Sequence, residues 1–287
     1  MLNLNGEVSF EKCVIDKLGI IPLSVWKLAP DTKYRELKNK LENDGATRVG
    51  TFKGASDSEN ELGFAVSVFN PVLAELLIRG YTLKPNSNVY DPFAGGIPRA
   101  WATCSQGHNY FGVEIRQDQI LENLRVAEKL HIKPFYLLGS STEQNGLPNN
   151  SMDLSVACPP YYDLETYNGG EKDLSMLPTY GDFLREIKKC IQVTFNVLKD
   201  DGFVVWVVGN FRDNKGRIVD FRGDLVKLFE EVGFHWYDDV VYYKDFKKAV
   251  LRVDLFEQSR KNVKTHEYIM VFKKTYNKVG KDEVDLE

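Results

Sequence analysis

From about residue 87 onward, short apolar runs alternate with segments whose apolar residues recur every three or four positions. NVYDPFAG precedes RAWATCSQG, NYFGVEI precedes RQDQILENLRVAEKL, and PFYLLGS and MDLSVACPP follow; YGDFLREIKKCIQVTFNVLKDDG, FVVWVVG and RGDLVKLFEEVGF complete the series. Runs that are apolar throughout suit strands buried on both faces, and the amphipathic segments between them supply the cover. The pattern predicts an α/β fold with a doubly wound, mostly parallel sheet. Two later runs, WYDDVVYYK and HEYIMVFKK, are joined by a basic segment without a helical pattern, and they predict an antiparallel hairpin at the edge. Ahead of the series, FNPVLAELLIRG predicts a helix that starts at Asn70 and Pro71 and stops at Gly80. Residues 1–65 read as an irregular N-terminal extension, 66–275 as the main domain and 276–287 as a polar tail.

A chain of 287 residues with 43% hydrophobic positions can bury a full core. Its longest apolar runs are too short to cross a bilayer, and MLNLNGEVSFEKC lacks a basic start followed by an apolar block, so a cytoplasmic protein is expected. Cys13, Cys104, Cys158 and Cys190 show no C-x-x-C spacing, which argues against a disulfide framework or a zinc site. The net charge of -4 excludes a uniformly basic surface. Positive charge is nevertheless concentrated between Tyr243 and His266, where Lys244, Lys247, Lys248, Arg252, Arg260, Lys261 and Lys264 outnumber Asp245, Asp254 and Glu257. A solvated loop and a phosphate-binding surface both fit that composition.

In an open parallel sheet, ligands bind beyond the carboxyl ends of the strands. Three such ends carry unusual residues. In DPFAGGIPR, Asp91 ends a strand, and Gly95 and Gly96 allow close approach of the backbone to a ligand. Arg99 stands where a dinucleotide fingerprint has its third glycine, so a pyrophosphate site is poorly supported. In GVEI, Glu114 can accept hydrogen bonds from ribose hydroxyls or simply favour a helix N-terminus. In ACPPYYD, Pro159 and Pro160 must end the strand because proline donates nothing to a sheet, and the tyrosines behind them offer flat ring faces.

Together DPFAGG, GVEI and ACPPYY resemble the motifs of class I S-adenosylmethionine-dependent methyltransferases, and among these the DNA amino-methyltransferases that modify adenine N6 or cytosine N4. IPLSVWKL, SVFNPVLAELL, DPFAGG, GVEIRQDQ, CPPYYDLETY, VVGNFRD and SRKNVKTHEYIMVF resemble, in this order, a group of phage and prophage DNA methylases. The resemblance implies a seven-stranded Rossmann-like sheet, S-adenosyl-L-methionine as cofactor, double-stranded DNA as partner, and no metal or membrane. It implies cofactor contacts from Phe69, Asn70, Pro71, Asp91, Phe93, Ala94, Gly95, Gly96, Glu114, Ile115 and Ser140. Cys158, Pro159, Pro160 and Tyr161 become the catalytic group: the Pro159 carbonyl and residue 158 hold the target amine, and Tyr161 stacks on a flipped base. Loops 162–180, 211–222 and 244–266 become the DNA-contacting segments, through Tyr162, Arg212, Lys215, Arg217, Lys247, Lys248, Arg260, Lys261 and Lys264. Loop 162–180, with Gly169, Gly170 and Pro178, is expected to move and cover the site.

Two positions depart from the family pattern. LLGSS offers Ser140 where Asp or Asn is frequent, and Cys158 stands where Asp, Asn or Ser precedes Pro-Pro-Tyr. Adenine N6 is the favoured target and cytosine N4 the alternative. An RNA or protein amino-methyltransferase and an inactive DNA-binding relative are further alternatives. A cytosine C5 reading is disfavoured, because there the nucleophilic cysteine follows a proline, whereas Cys158 precedes two.

Overall fold

The computed structural model describes residues 23–28, 51–52, 69–162, 165–166, 169–244 and 254–275. In chain order its strands are β1 (Val25–Lys27), β2 (Thr51–Phe52), β3 (Asn88–Asp91), β4 (Asn109–Glu114), β5 (Phe135–Leu138), β6 (Met152–Ala157), β7 (Glu165–Thr166), β8 (Leu198–Val208), β9 (Phe211–Arg212), β10 (Ile218–Val219), β11 (His235–Tyr243) and β12 (His266–Lys273). The helices are α1 (Pro71–Tyr81), α2 (Pro98–Cys104), α3 (Gln117–Lys129), α4 (Tyr180–Val197), α5 (Phe221–Val232) and α6 (Asp254–Ser259). Most of the N-terminal extension and the polar tail lie outside the described residues.

The main sheet runs β1-β11-β12-β8-β6-β3-β4-β5, and only β12 is antiparallel to its neighbours. From β3 the chain winds outward through β4 and β5, then returns to β6 on the other side of β3. That reversal opens a crevice at the carboxyl ends of β3 and β6, where a ligand site is expected.

Three sequence expectations are corrected here. The sheet has eight strands rather than seven, because Val25, Trp26 and Lys27 pair in parallel with Val241, Tyr242 and Tyr243. For the same reason the β11–β12 pair is not the edge: β12 lies between β11 and β8, which suits the complete burial of Ile269, Met270, Val271 and Phe272. The link between these strands also contains a helix, α6, within the segment read as non-helical.

Alternation along β8 splits its side chains between two cores. Val204, Trp206 and Val208 pack with Phe183, Ile187 and Phe229 of α4 and α5. Val205 and Val207 pack on the other face with Leu73, Leu77 and Ile78 of α1. Helix α1 begins as its sequence predicts, with Asn70 Oδ1 accepting from the N–H groups of Val72 (2.9 Å) and Leu73 (3.3 Å) and Pro71 in the first turn. It does not stop at Gly80. The ring of Tyr81 packs edge-on to Phe203 at 5.6 Å, and Thr82 caps the helix through its N–H and hydroxyl to Ile78 O, so tertiary packing carries the helix one residue past the glycine.

His108 joins the end of α1 to the start of β3. Its Nδ1 accepts from Ser87 N at 3.2 Å, and its Nε2 lies 3.3 Å from Thr82 Oγ1. Burial lowers its pKa against the opposing pull of Asp153, so the folded protein favours the neutral ring. The folded pKa is depressed, so this contribution to stability is complete above the unfolded value of about 6.5 and is lost as pH falls through the folded value. The melting temperature of the wild type is therefore expected to fall more steeply below about pH 6.5 than that of His108→Asn. Parallel slopes would show that His108 does not set the acid sensitivity.

Candidate cofactor cleft and target site

The glycine motif is organised around a buried ion pair. Arg99 Nε donates to Asp91 Oδ2 at 2.6 Å, and its Nη2 donates to the carbonyls of Phe93 (2.6 Å) and Ala94 (3.2 Å). Asp91 also accepts from Tyr110 OH at 2.8 Å and from Phe93 N at 3.1 Å. Burial disfavours charge on Arg99, but Asp91, together with Tyr110 and Cys158, raises the guanidinium pKa above its ordinary value. The Phe69 ring lies 4.8 Å from the guanidinium carbon. Thus Arg99, which spoils a dinucleotide fingerprint, holds the loop in shape by occupying two of its carbonyls.

On the other side of the loop, Gly95 has φ of 51°, a conformation that favours glycine. Its N–H donates to Glu114 Oε2 at 2.9 Å, and its carbonyl accepts from Asn123 Nδ2 at 2.7 Å. Gln119 supports Asn123 at 3.1 Å, four residues away on the same face of α3. Glu114 Oε1 accepts from Arg116 N at 3.1 Å. The carboxylate therefore shapes the loop and the start of α3.

The cleft that results encloses about 600 Å³ including its mouth. Phe93, Gly95, Glu114, Ile115, Ser140 and Pro160 line it, as do Arg116, Gln119, Lys172, Asp173 and Leu174, which the sequence reading did not select. Asp91 stands behind the loop, and Phe69, Asn70, Pro71, Ala94 and Gly96 are not among the lining residues. Asn70 is engaged as the α1 cap and donates to Tyr242 OH at 2.8 Å. Ser140 Oγ pairs with Thr142 Oγ1 at 2.8 Å.

The stretch expected to move and cover the site contributes a wall of the cleft. Two short 3-10 turns, Gly170–Lys172 and Leu174–Met176, frame Asp173, which accepts from Gly169 N (2.9 Å) and from Ser175 N (2.9 Å) and Oγ (2.7 Å). A Cβ at Gly169 would lie 2.7 Å from Ile115 Cγ2, so this glycine lets the wall close on the cleft. Lys172 is ion-paired with Glu143. Farther back, β7 pairs antiparallel with β2 of the N-terminal extension, matching Glu165 with Phe52. Asp163 lies outside the described residues.

At the end of β6, Cys158 and Pro160 are half-buried and Pro159 is buried. Tyr161 leans edge-on against Phe211 (6.3 Å) and Phe221 (6.1 Å). Tyr162 turns away: its ring packs with Tyr180 and Phe183, and its hydroxyl donates to Pro178 O at 3.1 Å. Tyr161 OH and the Lys264 ammonium both lie on the side of Gly209 where a Cβ would stand, and that Cβ would be 3.4 Å from the hydroxyl.

The described cations gather beside this point. Lys264 Nζ donates to Asn210 O at 2.6 Å, and desolvation lowers its pKa despite Glu267. The Lys261 ammonium rests against Gly216 in the 212–217 turn, so the two basic segments meet in space. Arg212 Nη1 donates to Gly216 O at 3.0 Å, Arg217 pairs with Asp213 at 2.7 Å, Lys215 is exposed, and Arg260 lies over the Phe256 ring at 5.6 Å. Lys247 and Lys248 lie outside the described residues. Among the described residues no His, Cys, Asp or Glu cluster is arranged to hold a metal, and no helix is long and apolar enough to cross a membrane.

A mostly parallel sheet with β12 reversed, a glycine loop closed on the acidic end of β4 and a Pro-Pro-Tyr at the end of β6 define a class I methyltransferase fold. Residues 152–286, a little under half of the chain, match the family model described as DNA methylase. The orphan methyltransferase M.BamHII of Bacillus amyloliquefaciens is 29% identical over 124 residues, 43% of this chain and 39% of that protein. The Type II methyltransferase M.MjaVI of Methanocaldococcus jannaschii is 25% identical over 143 residues, 49% of this chain and 71% of that protein. The match with M.BamHII thus spans about two fifths of that relative's length. In fold, a geranyl diphosphate methyltransferase solved with sinefungin aligns with TM-score 0.54 at 14% identity, over 83% of this chain and 94% of that one. The cofactor of this class is S-adenosylmethionine, and the cleft suits it: the Glu114 carboxylate, apolar Ile115 and Leu174, and a polar end at Ser140 all line it.

Proposed function

We propose that the protein transfers a methyl group from S-adenosylmethionine to the exocyclic amine of a base flipped out of double-stranded DNA, adenine N6 in the first place and cytosine N4 as the alternative. One observation carries this reading: the cleft that starts at Gly95 and Glu114 reaches Pro160, the second proline of ACPPYY, so a donor bound there borders the catalytic motif. Glu114 accepts from the ribose hydroxyls, and Phe93, Gly95, Ile115 and Ser140 contact the rest of the cofactor. Asp91, with Arg99, acts by positioning the loop. The cofactor supplies a sulfonium methyl for direct, in-line transfer. An exocyclic amine is a poor nucleophile while its lone pair is delocalised into the ring. The Pro159 carbonyl and Cys158 draw its hydrogens toward a tetrahedral geometry, and catalysis comes mainly from positioning. The meeting of the 212–217 turn with Lys261 supports a shared phosphate-binding surface beside Tyr161. Work on DNA inside a cell fits a cytoplasmic location.

Nucleoside analysis by mass spectrometry of DNA from cells expressing the protein tests this reading. N6-methyladenine is expected. N4-methylcytosine alone would favour the alternative, and methylated RNA with unmodified DNA would reject the DNA reading.

Glu114→Gln keeps an acceptor for one backbone N–H while losing the charge, so cofactor affinity is expected to fall about 10- to 100-fold, the worth of a hydrogen bond to a charged group. Calorimetry giving an unchanged Kd would remove Glu114 from the site. Replacing Arg260 and Lys261 by Ala together should lower the slope of log K against log salt by about 0.9 for each lost phosphate contact, with cofactor affinity unchanged. An unaltered slope would leave that segment as a solvated loop.

A further inference from the structure

The short ribbon formed by β9 and β10 matches Phe211 with Val219 and Arg212 with Ile218. Directly opposed residues of an antiparallel pair point to one face, and the next pair points to the other. The Phe211 ring meets Tyr161, Tyr180 and Phe221, which makes its face the inner one. Arg212 and Ile218 therefore share the outer face. Ile218 is 65% exposed, among the most exposed large apolar side chains described, and the pairing register forces it outward.

The ribbon is stiff and its surroundings are cationic. Gly216 turns the tip with φ of 76°. Asp213 accepts from the N–H groups of Lys215 (3.0 Å) and Arg217 (2.8 Å), and its ion pair with Arg217 cancels one charge. Arg212 shares the outer face with Ile218, Lys215 is exposed in the turn, and the Lys261 ammonium rests against Gly216. An aliphatic side chain on a two-stranded ribbon, with Arg212 on the same face and Lys215 and Lys261 at the turn, and anchored through Phe211 to Tyr161, matches the chemistry of a nucleic-acid groove: phosphates for the cations and stacked bases for the apolar side chain.

We propose that Ile218 is a wedge that enters the base stack of duplex DNA and fills the gap left by the flipped base. This rests on the DNA reading above. Extruding a base breaks its pairing and both its stacking contacts. An apolar group that takes the vacated position restores contact with the neighbouring bases and slows the return of the extruded one. Phe211, on the opposite face of the same ribbon, couples insertion to the position of Tyr161.

The test uses the full chain and two duplexes carrying the recognition sequence read from methylated DNA, one with the target base normally paired and one with an abasic site opposite it. On the paired duplex, Ile218→Ala and Ile218→Gln are expected to lose about tenfold or more in kcat/KM, because the unstacking cost is no longer offset. On the abasic duplex, where the target base is unpaired and leaves the stack more easily, their loss should be markedly smaller, and Ile218→Leu should remain active on both. Melting temperatures should not change, since the side chain is exposed. Equal losses on the two duplexes, or no loss on either, would overturn the wedge. Cellular DNA without any methylated sequence would instead sink the underlying DNA reading.

Discussion

Replacing Arg99 by Met is expected to destabilise the protein by about 3–5 kcal/mol, the cost of leaving one member of a buried ion pair without its partner. Arg99 and Asp91 are both buried, 5% and 0% exposed, so little water reaches the orphaned carboxylate. The loss extends beyond the pair, because the same guanidinium satisfies the carbonyls of Phe93 and Ala94. Cofactor binding should fall with it, since the released loop carries Phe93 and Gly95 into the cleft. Asp91→Asn in the Arg99→Met background should recover part of the stability by removing the uncompensated charge. Urea titration is the check, as a shift of midpoint with the m-value unchanged. A loss below about 1 kcal/mol would mean that the pair is not what holds the loop.

Tyr161→Ala is expected to remove most methyl transfer, and Tyr161→Phe to keep most of it. If the ring stacks on the flipped base, its face is worth about 1–3 kcal/mol, or roughly 10- to 100-fold in rate. The phenol oxygen is not needed for stacking. The ring is also a packing group, because its edge contacts with Phe211 and Phe221 tie β6 to the ribbon and to α5. Being only half-buried, it should cost about 1–3 kcal/mol of stability when truncated, less than a fully buried aromatic. The two roles separate in one experiment. Transfer measured well below the melting temperature of Tyr161→Ala, with cofactor affinity intact, reads the stacking role, whereas activity that falls only in proportion to the unfolded fraction reads a structural one.

The fold was largely legible in the chain because it depends on periodicity. Runs such as FVVWVVG must be strands buried on both faces, and the amphipathic segments between them have one way to cover them. The three strand ends stood out for a related reason: glycine, an isolated carboxylate and paired prolines are costly or useless inside a sheet. Local chemistry likewise marked Asn70 and Pro71 as a helix start, while the stop at Gly80 was overruled by packing of Tyr81 on a strand distant in sequence.

Other features depended on residues far apart in the chain. Arg99 reads locally as a defect in a glycine motif, and only its distance to Asp91 makes it a clamp. Asp173 and Leu174 sit in a segment that looks like an ordinary polar loop, and the side-chain hydrogen bonds of Asp173 fold it into a wall. Gln119 and Asn123, polar residues four apart on the inward face of α3, were the one signal that sequence offered for the loop's other support. The charge of Lys261 and of the 212–217 turn was plain in the sequence, but their meeting required β8 and β12 to lie side by side. Periodicity and residue chemistry thus determined the sheet and the ends that bear the site; tertiary structure decided which groups face the cleft and which hold it open, because burial and partner distance are properties of the folded chain.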